Sequence, residues 1–439
     1  MEICAPKGPI HLLSDKGSGL ALRWMYIDFN SYFASVEQQL DPRLRGYPVI
    51  VIPSATEATC AIAASYEAKA LGIKTGTMVR DALDICPHLI TVMARHDHYV
   101  RYHHLLLAEI ENRVPISEVC SIDEAACRLM DNENTPEQVH ALAVRIKQGI
   151  ASRVGAYLRC SIGVAANKYL AKVAAGMRKP DQVTILDNDK AWERLRQLEL
   201  RDLPGIGMAM ERRLIRAGIF CMDDLLRLDR RQMRTVWRSI HGERMWYLLR
   251  GVELADDPVR RRSIGHSHVI APVNRHPARA RLIAKRLVQK AASRLRRLGY
   301  DASAFALSMR TGDGKSLKRW TYTESCQNTL HFLMHFQRMW TGLLSALPPD
   351  QRKQVQVRKV SIQLFNLTPC ANRHAHLFDD VHEWSRQGRG EQLSHALDRI
   401  NHRFGRDSIV IGMMPQDGRD FSESKIAFTR IPDIKEFLE

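Results

Sequence analysis

At 439 residues the chain is too long for one ordinary hydrophobic core, and two to four domains are expected. With 65 Lys and Arg against 48 Asp and Glu, its formal charge of +17 points to a polyanionic partner such as nucleic acid. Nine scattered cysteines with no CxxC pair argue against a zinc module and a disulfide framework, and no apolar run approaches the ~20 residues that cross a bilayer, so a soluble, cytoplasmic protein without a membrane partner is expected.

Residues 1–22 mix Pro, Gly, Lys and Asp and read as an N-terminal extension. Trp24–Phe29 reads as a strand, followed by a helix over Asn30–Leu40 with Ser31 as its cap and Phe33, Val36 and Leu40 at helical spacing. Tyr47–Pro53 and Cys60–Ala64 are short strands, Tyr66–Leu71 is helical, and Gly72 and Gly76 break the pattern. Residues 99–112 are helical, Glu118–Leu129 is a second strand, Pro136–Ala151 a helix, and Leu158–Val164 a strand running into the helix Asn167–Ala175. With residues 45–95 as an insertion, this order is a split βαβ unit, an antiparallel sheet backed by two helices.

Leu203-Pro204-Gly205-Ile206-Gly207 opens a helical segment that runs to about Gly251. The acidic and triple-Arg stretch Leu254–Arg262 reads as an exposed linker. Arg279–Leu298 is a strongly basic amphipathic helix, Ala302–Arg310, Lys315–Tyr322 and Val355–Phe365 are strands, and Leu330–Ala346 is a helix, giving a second small α+β unit. Residues 376–439 read as a polar tail with a helix over Gln392–Phe404 and a short strand near Ile409–Ile411. Between Arg260 and Trp320 sixteen Lys and Arg face two acidic residues, a surplus of fourteen, which marks the main electrostatic footprint.

Two acidic sites carry the chemistry. Ser121-Ile122-Asp123-Glu124-Ala125 sets adjacent carboxylates after Val119 and Ile122, and Trp24–Phe29 brings Asp28 to the end of an apolar run. Strand side chains alternate between faces, so such an Asp can leave the core for a cleft. Two such ends side by side suit a hard divalent cation, which offsets the repulsion between carboxylates. Taken singly, Asp28 is equally well read as a cap or turn residue and Asp123-Glu124 as an exposed strand end.

Read in order with Ala64-Ser65-Tyr66-Glu67-Ala68-Lys69 and with Ser161-Ile162-Gly163-Val164-Ala165-Ala166-Asn167-Lys168-Tyr169-Leu170-Ala171-Lys172, the acidic strands resemble the Y-family, or translesion, DNA polymerases over residues 24–370. The tail, with Ala396–Asn401, Phe404-Gly405 and Lys425–Phe428, looks more like the UmuC-like branch than the polymerase IV branch. The resemblance implies an α+β right hand: a ferredoxin-like palm (23–44 and 96–190), small fingers (45–95), a helix-hairpin-helix thumb (191–257), a linker (258–263) and an α+β little finger (264–375), with residues 376–439 as a C-terminal tail. It implies a low-fidelity, template-dependent polymerase, acting as a monomer, that adds dNTPs to the primer of a primer-template DNA in translesion synthesis. In this family two Mg²⁺ ions would be held by Asp28, Asp123, Glu124 and the carbonyl of Phe29, the three carboxylates being catalytic.

By the same resemblance Tyr66, Lys69 and Lys168 would face the triphosphate, and Phe33 would be the ring that excludes a 2′-hydroxyl, although helical spacing alone would make Phe33 a core residue. Lys172 shares a helix face with Lys168 and would reach phosphate, DNA or solvent. Lys69 stands where the family usually has Arg, so the bidentate fork is absent. Ala63 replaces a common hydroxyl residue, Asn30 a frequent Asp, Ala126-Cys127 a bulky apolar pair, and Arg128 an acidic residue. Gly205 and Gly207 let backbone N–H groups approach a DNA phosphate, and Arg286, Lys290, Arg294 and Arg297 would track the duplex backbone. For a sliding clamp, Gln363-Leu364-Phe365 and Gln392-Leu393-Ser394 are the only candidate motifs, and both lie in expected regular elements. The rival classes are a non-catalytic DNA-binding homologue and a nucleotide cyclase sharing the palm.

Overall fold

The computed structural model describes residues 21–57, 59–255, 261–350, 352, 354–372, 381–405, 408–412 and 431. It divides into two compact units, Met1–Asp256 with Ser422–Leu438, and Asp257–Phe421. The extension before residue 21, most of the expected linker and the Lys425–Phe428 motif lie outside the described residues.

In the first unit the elements follow in the order β1 (Trp24–Phe29), α1 (Tyr32–Leu40), β2 (Val49–Ile52), β3 (Ala63–Ala64), α2 (Tyr66–Ala70), α3 (Val79–Ile85), β4 (Ile90–Met93), α4 (His96–Glu111), β5 (Glu118–Val119), β6 (Glu124–Arg128), α5 (Pro136–Arg153), β7 (Cys160–Ala165), α6 (Lys168–Met177) and β8 (Val183–Ile185). The main sheet has the order β5-β6-β1-β7-β8, with β1 antiparallel to both neighbours and β8 parallel to β7. The succession β1, α4, β5, β6, α5, β7 is the expected split βαβ unit, to which α6 and β8 are added.

Alternation along β1 explains its central place. Met25 and Ile27 enter one core with Tyr99, Leu106 and Ile110 of α4 and Val139, Leu142 and Ile146 of α5. Tyr26 enters the other with Leu170, Val173 and Ala174 of α6. Helix α6 can lie this close because β7 has no side chain at Gly163, where a Cβ would stand 2.1 Å from the Ala171 carbonyl oxygen. Caps fix the helix starts: Thr135 and Gln138 form a capping box on α5, and the Asn167 side chain accepts from Leu170 N on α6. The insertion over residues 45–95 is a separate three-stranded sheet, β3-β2-β4. Four helices complete the helical part after Leu203 as α8 to α11, preceded by α7 (Asn188–Arg196): α8 (Met208–Arg216), α9 (Met222–Arg227), α10 (Arg230–Trp237) and α11 (Ile240–Leu249).

The second unit contains β9 (Ser263–Val269), α12 (Pro277–Arg297), β10 (Tyr300–Thr311), β11 (Ser316–Cys326), α13 (Thr329–Ser345), β12 (Val357–Pro369) and α14 (Val381–Phe404). Its antiparallel sheet has the order β11-β10-β12-β9. One face, with Phe305, Leu307, Ile362 and Leu364, packs beneath Ile283, Leu287 and Val288 of α12 and Phe332 and Phe336 of α13.

The structure corrects several expectations. Glu118–Leu129 is not one strand but the hairpin of β5 and β6, closed by Cys120 N and Ser121 N donating to the Glu124 carbonyl at 3.0 and 3.2 Å. Ser31 does not cap α1 with its side chain, because its backbone is left-handed at φ 48°. Ser263–Val269, unassigned beyond the expected linker, forms β9 because Ile264 supplies an apolar anchor against Leu364. The helix placed at Gln392–Phe404 begins at Val381, and residues 409–411 form no strand; Ile411 instead exchanges two backbone bonds with the Gln289 side chain of α12. Arg296, only 9 % exposed, binds Asp398 at 2.6 and 3.0 Å and donates to Gln327 O and Thr329 Oγ1, so α14 is part of this unit rather than a loose tail.

Candidate active site

Register brings the two acidic sites together. Asp28 at the end of β1 lies directly opposite Glu124, the first residue of β6. Asp123 precedes it in the turn, and its carbonyl accepts from Phe29 N at 2.8 Å, which locks the turn to β1. From the other side His103 of α4 lies 2.8 Å through Nδ1 from the Ile122 carbonyl, as a donor. Ser121 Oγ donates to Asp123 Oδ1 at 2.6 Å and stands 3.3 Å from Glu124 Oε2.

Two lysines answer these carboxylates. Lys179, beyond α6, donates to Asp28 Oδ2 at 2.6 Å, and Lys172 of α6 donates to Glu124 at 2.8 and 3.0 Å and to Tyr26 OH at 3.2 Å. They do not fully compensate the cluster. Burial pushes the Asp28 carboxyl up to about 6, with Glu124 and Asp123 adding to the rise and Lys179 opposing it. Burial also raises Asp123 above the usual carboxylate range, against the pull of the Ser121 hydrogen bond. Among the described residues no three His, Cys, Asp or Glu side chains form a ready-made metal cage, since Asp28 and Glu124 are turned onto lysines. The donor set still suits a hard divalent cation: it is all oxygen, and its three carboxylates outnumber the two lysines that face them.

Around this cluster Lys69 of α2 donates to Ser31 Oγ at 2.7 Å and lies 4.8 Å from the Tyr66 ring centroid. Burial first, then Lys179, lowers its ammonium, and burial pushes the Tyr66 phenol up to about 12. Phe33 is buried and stacks on Tyr99, with centroids 4.3 Å apart and planes 12° apart. Tyr99 is itself fixed: its hydroxyl donates to Glu37 at 2.7 Å, and the fully buried Glu37 is paired with Arg95. Asn30 accepts from Asp181 N at 2.8 Å and donates to Ser161 Oγ at 3.0 Å, so the segment carrying Lys179 is held to the end of β1.

Lys168 is placed elsewhere. Its ammonium binds Glu118 at 2.5 Å and lies 6.0 Å from the Trp24 ring. Trp24 and Asp28 are at opposite ends of β1, ~13 Å apart at strand rise, so Lys168 stands away from the carboxylates. Lys179, which sequence reasoning missed, is the lysine bonded to Asp28. No motif signals Lys179, because 151 residues separate it from its partner.

In the helical segment Gly205 takes φ +94°, a backbone that only glycine adopts freely, and Gly207 is the N-cap of α8. Tyr169 OH donates to Pro204 O at 3.1 Å and ties this hairpin to α6. In the second unit Arg286, Lys290 and Arg294 lie half-buried along α12 and Arg297 is exposed. Gln363-Leu364-Phe365 lies in β12 with Leu364 buried, and Gln392-Leu393-Ser394 lies in α14 with Ser394 buried. Among the described residues no helix is long and apolar enough to cross a membrane.

Comparison with known proteins agrees with this geometry. Residues 27–176 match the impB/mucB/samB family and residues 261–377 its C-terminal domain. DNA polymerase IV of Moorella thermoacetica is 34% identical over 400 residues, 86% of this chain and 92% of that protein. DNA polymerase IV 1 of Bacillus subtilis is 30% identical over 396 residues, 87% of this chain and 90% of its own length. Both carry the polymerase IV name, whereas the tail motifs pointed to the UmuC-like branch. The solved Y-family DNA polymerase chimera Dbh-Dpo4-Dbh shares the fold with a TM-score of 0.63 at 23% identity, covering 79% of this chain and 99% of that one. The chain therefore belongs to the impB/mucB/samB family, the Y-family DNA polymerases.

Proposed function

We propose that this low-fidelity, DNA-directed DNA polymerase builds its catalytic centre from Asp28, Asp123 and Glu124, extending the primer of a primer-template DNA with dNTPs. The observation that carries the assignment is the direct opposition of Asp28 and Glu124 in antiparallel register, with Asp123 beside them in a turn bonded to Phe29. These carboxylates and the Phe29 carbonyl would hold two Mg²⁺, which when bound neutralise the charge developing on the attacking and leaving oxygens of phosphoryl transfer. Lys179, Lys69 and Tyr66 face the triphosphate. Lys179 in particular exchanges Asp28 for phosphate oxygen, since both are anions within reach of one flexible ammonium. Phe33, held flat against Tyr99, excludes a 2′-hydroxyl.

The main sheet with α4, α5 and α6 serves as palm, the β3-β2-β4 insertion as fingers, the helices from Leu203 as thumb, and the second unit as little finger. Gly205, Gly207 and the cations Arg286, Lys290, Arg294 and Arg297 supply sequence-independent contacts to duplex phosphate. Retention of all three carboxylates disfavours the non-catalytic homologue, and the hairpin and basic unit disfavour a cyclase. Asp28→Asn or Asp123→Asn should abolish primer extension while leaving primer-template affinity, read by fluorescence anisotropy, within a few-fold. Extension near the parental rate in either variant would refute the site.

A further inference from the structure

Lys179 sits in the segment 178–182 that joins α6 to β8 past the carboxylate cluster. Its neighbours Arg178 and Pro180 are exposed, and Pro180 has no N–H to donate, so nothing beside Lys179 anchors it. A cavity of about 430 Å³ opens against the segment, bordered by His140 and Lys147 of α5, by Arg159, and by Asp181 and Gln182. Close packing therefore does not fix the segment, and polar contacts do. Asp181 N donates to Asn30 Oδ1 at 2.8 Å, and the Gln182 carbonyl accepts from Ile162 N at 2.9 Å. Lys147 holds Asp181 twice: its ammonium donates to the backbone carbonyl at 2.5 Å and to Oδ1 at 2.7 Å.

The Lys147 side chain is 21 % exposed and that of Asp181 33 %, so water screens this pair less than a surface one. Arg159, 64 % exposed and 4.0 Å from the other carboxylate oxygen, adds little. The contacts form a ring. Lys179 binds the Asp28 side chain, while Asp181, two residues on, binds Asn30, which is buried and bonded in turn to Ser161 Oγ. When Lys179 leaves Asp28 for a phosphate oxygen, one link of the ring opens, and the segment is then held through Asn30, Ile162 and Lys147. An ammonium on a flexible four-carbon stem is aimed no better than the backbone that carries it, and a backbone ordered beforehand lowers the cost of binding.

We propose that Lys147, acting through Asp181, is a positioning residue for nucleotide binding: it fixes the backbone from which Lys179 reaches the triphosphate and does not touch the nucleotide itself. This rests on the reading of Lys179 as a triphosphate contact, and the test separates the two. Single-nucleotide insertion by the full-length protein on a primer-template gives the dNTP KM and kcat. Lys147→Met, similar in length and uncharged, should raise KM about fivefold with kcat within about twofold. Lys147→Arg should keep KM within about twofold of the parent, because a guanidinium can donate to both the carbonyl and the carboxylate. Lys147→Met/Lys179→Ala should have the KM of Lys179→Ala alone, since a residue that acts only through Lys179 then has nothing left to position. A KM unmoved by Lys147→Met but raised by Lys179→Ala would overturn the positioning role and leave the Lys179 contact standing. A further loss of about fivefold on top of Lys179→Ala would overturn it by making Lys147 a support of the fold at large. A KM unmoved by Lys179→Ala would overturn the triphosphate contact and the positioning role together.

Discussion

Phe33 has a packing role in the structure and, as proposed, a gating one. Its ring is buried, as helical spacing on α1 requires, yet it is also clamped against Tyr99, whose hydroxyl is held by Glu37. As the proposed gate, the braced ring would resist a 2′-hydroxyl sterically, so Phe33→Ala should lower the dNTP-over-rNTP preference in single-nucleotide insertion by at least about tenfold, some 1.4 kcal/mol of discrimination. Unchanged discrimination would return Phe33 to a purely packing role. Charge around the cluster yields a second expectation. Lys179 touches Asp28 and Lys69 stands beside it, whereas Lys168 is committed to Glu118. Lys179→Ala and Lys69→Ala should therefore raise the dNTP KM about tenfold, and Lys168→Ala should leave it within twofold. A KM raised by Lys168→Ala alone would reverse the assignment. The carboxylates were legible because each ends an apolar run, but Lys179 and Ser121 were not, because their meaning comes from partners that only folding supplies.

Among the elements, the β5–β6 hairpin bears most on the site. The β-branched, apolar approach at Val119 and Ile122 marked Glu118–Leu129 as one strand, but Ser121 and Asp123 favour a turn through side-chain bonds that compete with the ladder. Helix α4 holds that turn through His103, whose imidazole burial keeps down at about 4. In the unfolded chain the same group titrates near 6.5. Between these values the unfolded chain holds a proton that the folded one does not, so stability is full above pH ~6.5 and is lost as pH falls toward 4. The loss from pH 7.5 to 5 should be about 2 kcal/mol, and urea unfolding of His103→Asn should show that much less pH dependence than the parent. An equal pH dependence in the variant would place the titration elsewhere. β9 and α14 escaped sequence reading for a different reason. The strand alternates polar residues around a single apolar anchor, and α14 is tied to the unit by polar contacts, the Arg296–Asp398 pair with Gln327 N and Thr329 N donating to Glu391 and Ser394.

Across the whole molecule, the proposed hold on DNA rests on positive charge. Part of the surplus of fourteen between Arg260 and Trp320 lies along α12, and some of it is already committed: Arg296 is buried on Asp398, and Arg281 donates to Gln337. Each phosphate neutralised releases counterions with a log–log slope near −0.9 for duplex DNA, so replacing Arg286, Lys290, Arg294 and Arg297 together by Gln would flatten the slope by about 3.6 if all four touched phosphate. Three of them are half-buried along α12 and Arg297 alone is exposed, so a reduction of about 1 to 3 is expected, with the rate of the chemical step at saturating DNA unchanged. Fluorescence anisotropy of a primer-template across a salt series measures it for parent and variant. A slope identical to the parent's would make α12 a structural flank whose cations serve packing and solubility, and would move the duplex track to the Leu203–Gly207 hairpin and its arginine-rich neighbours.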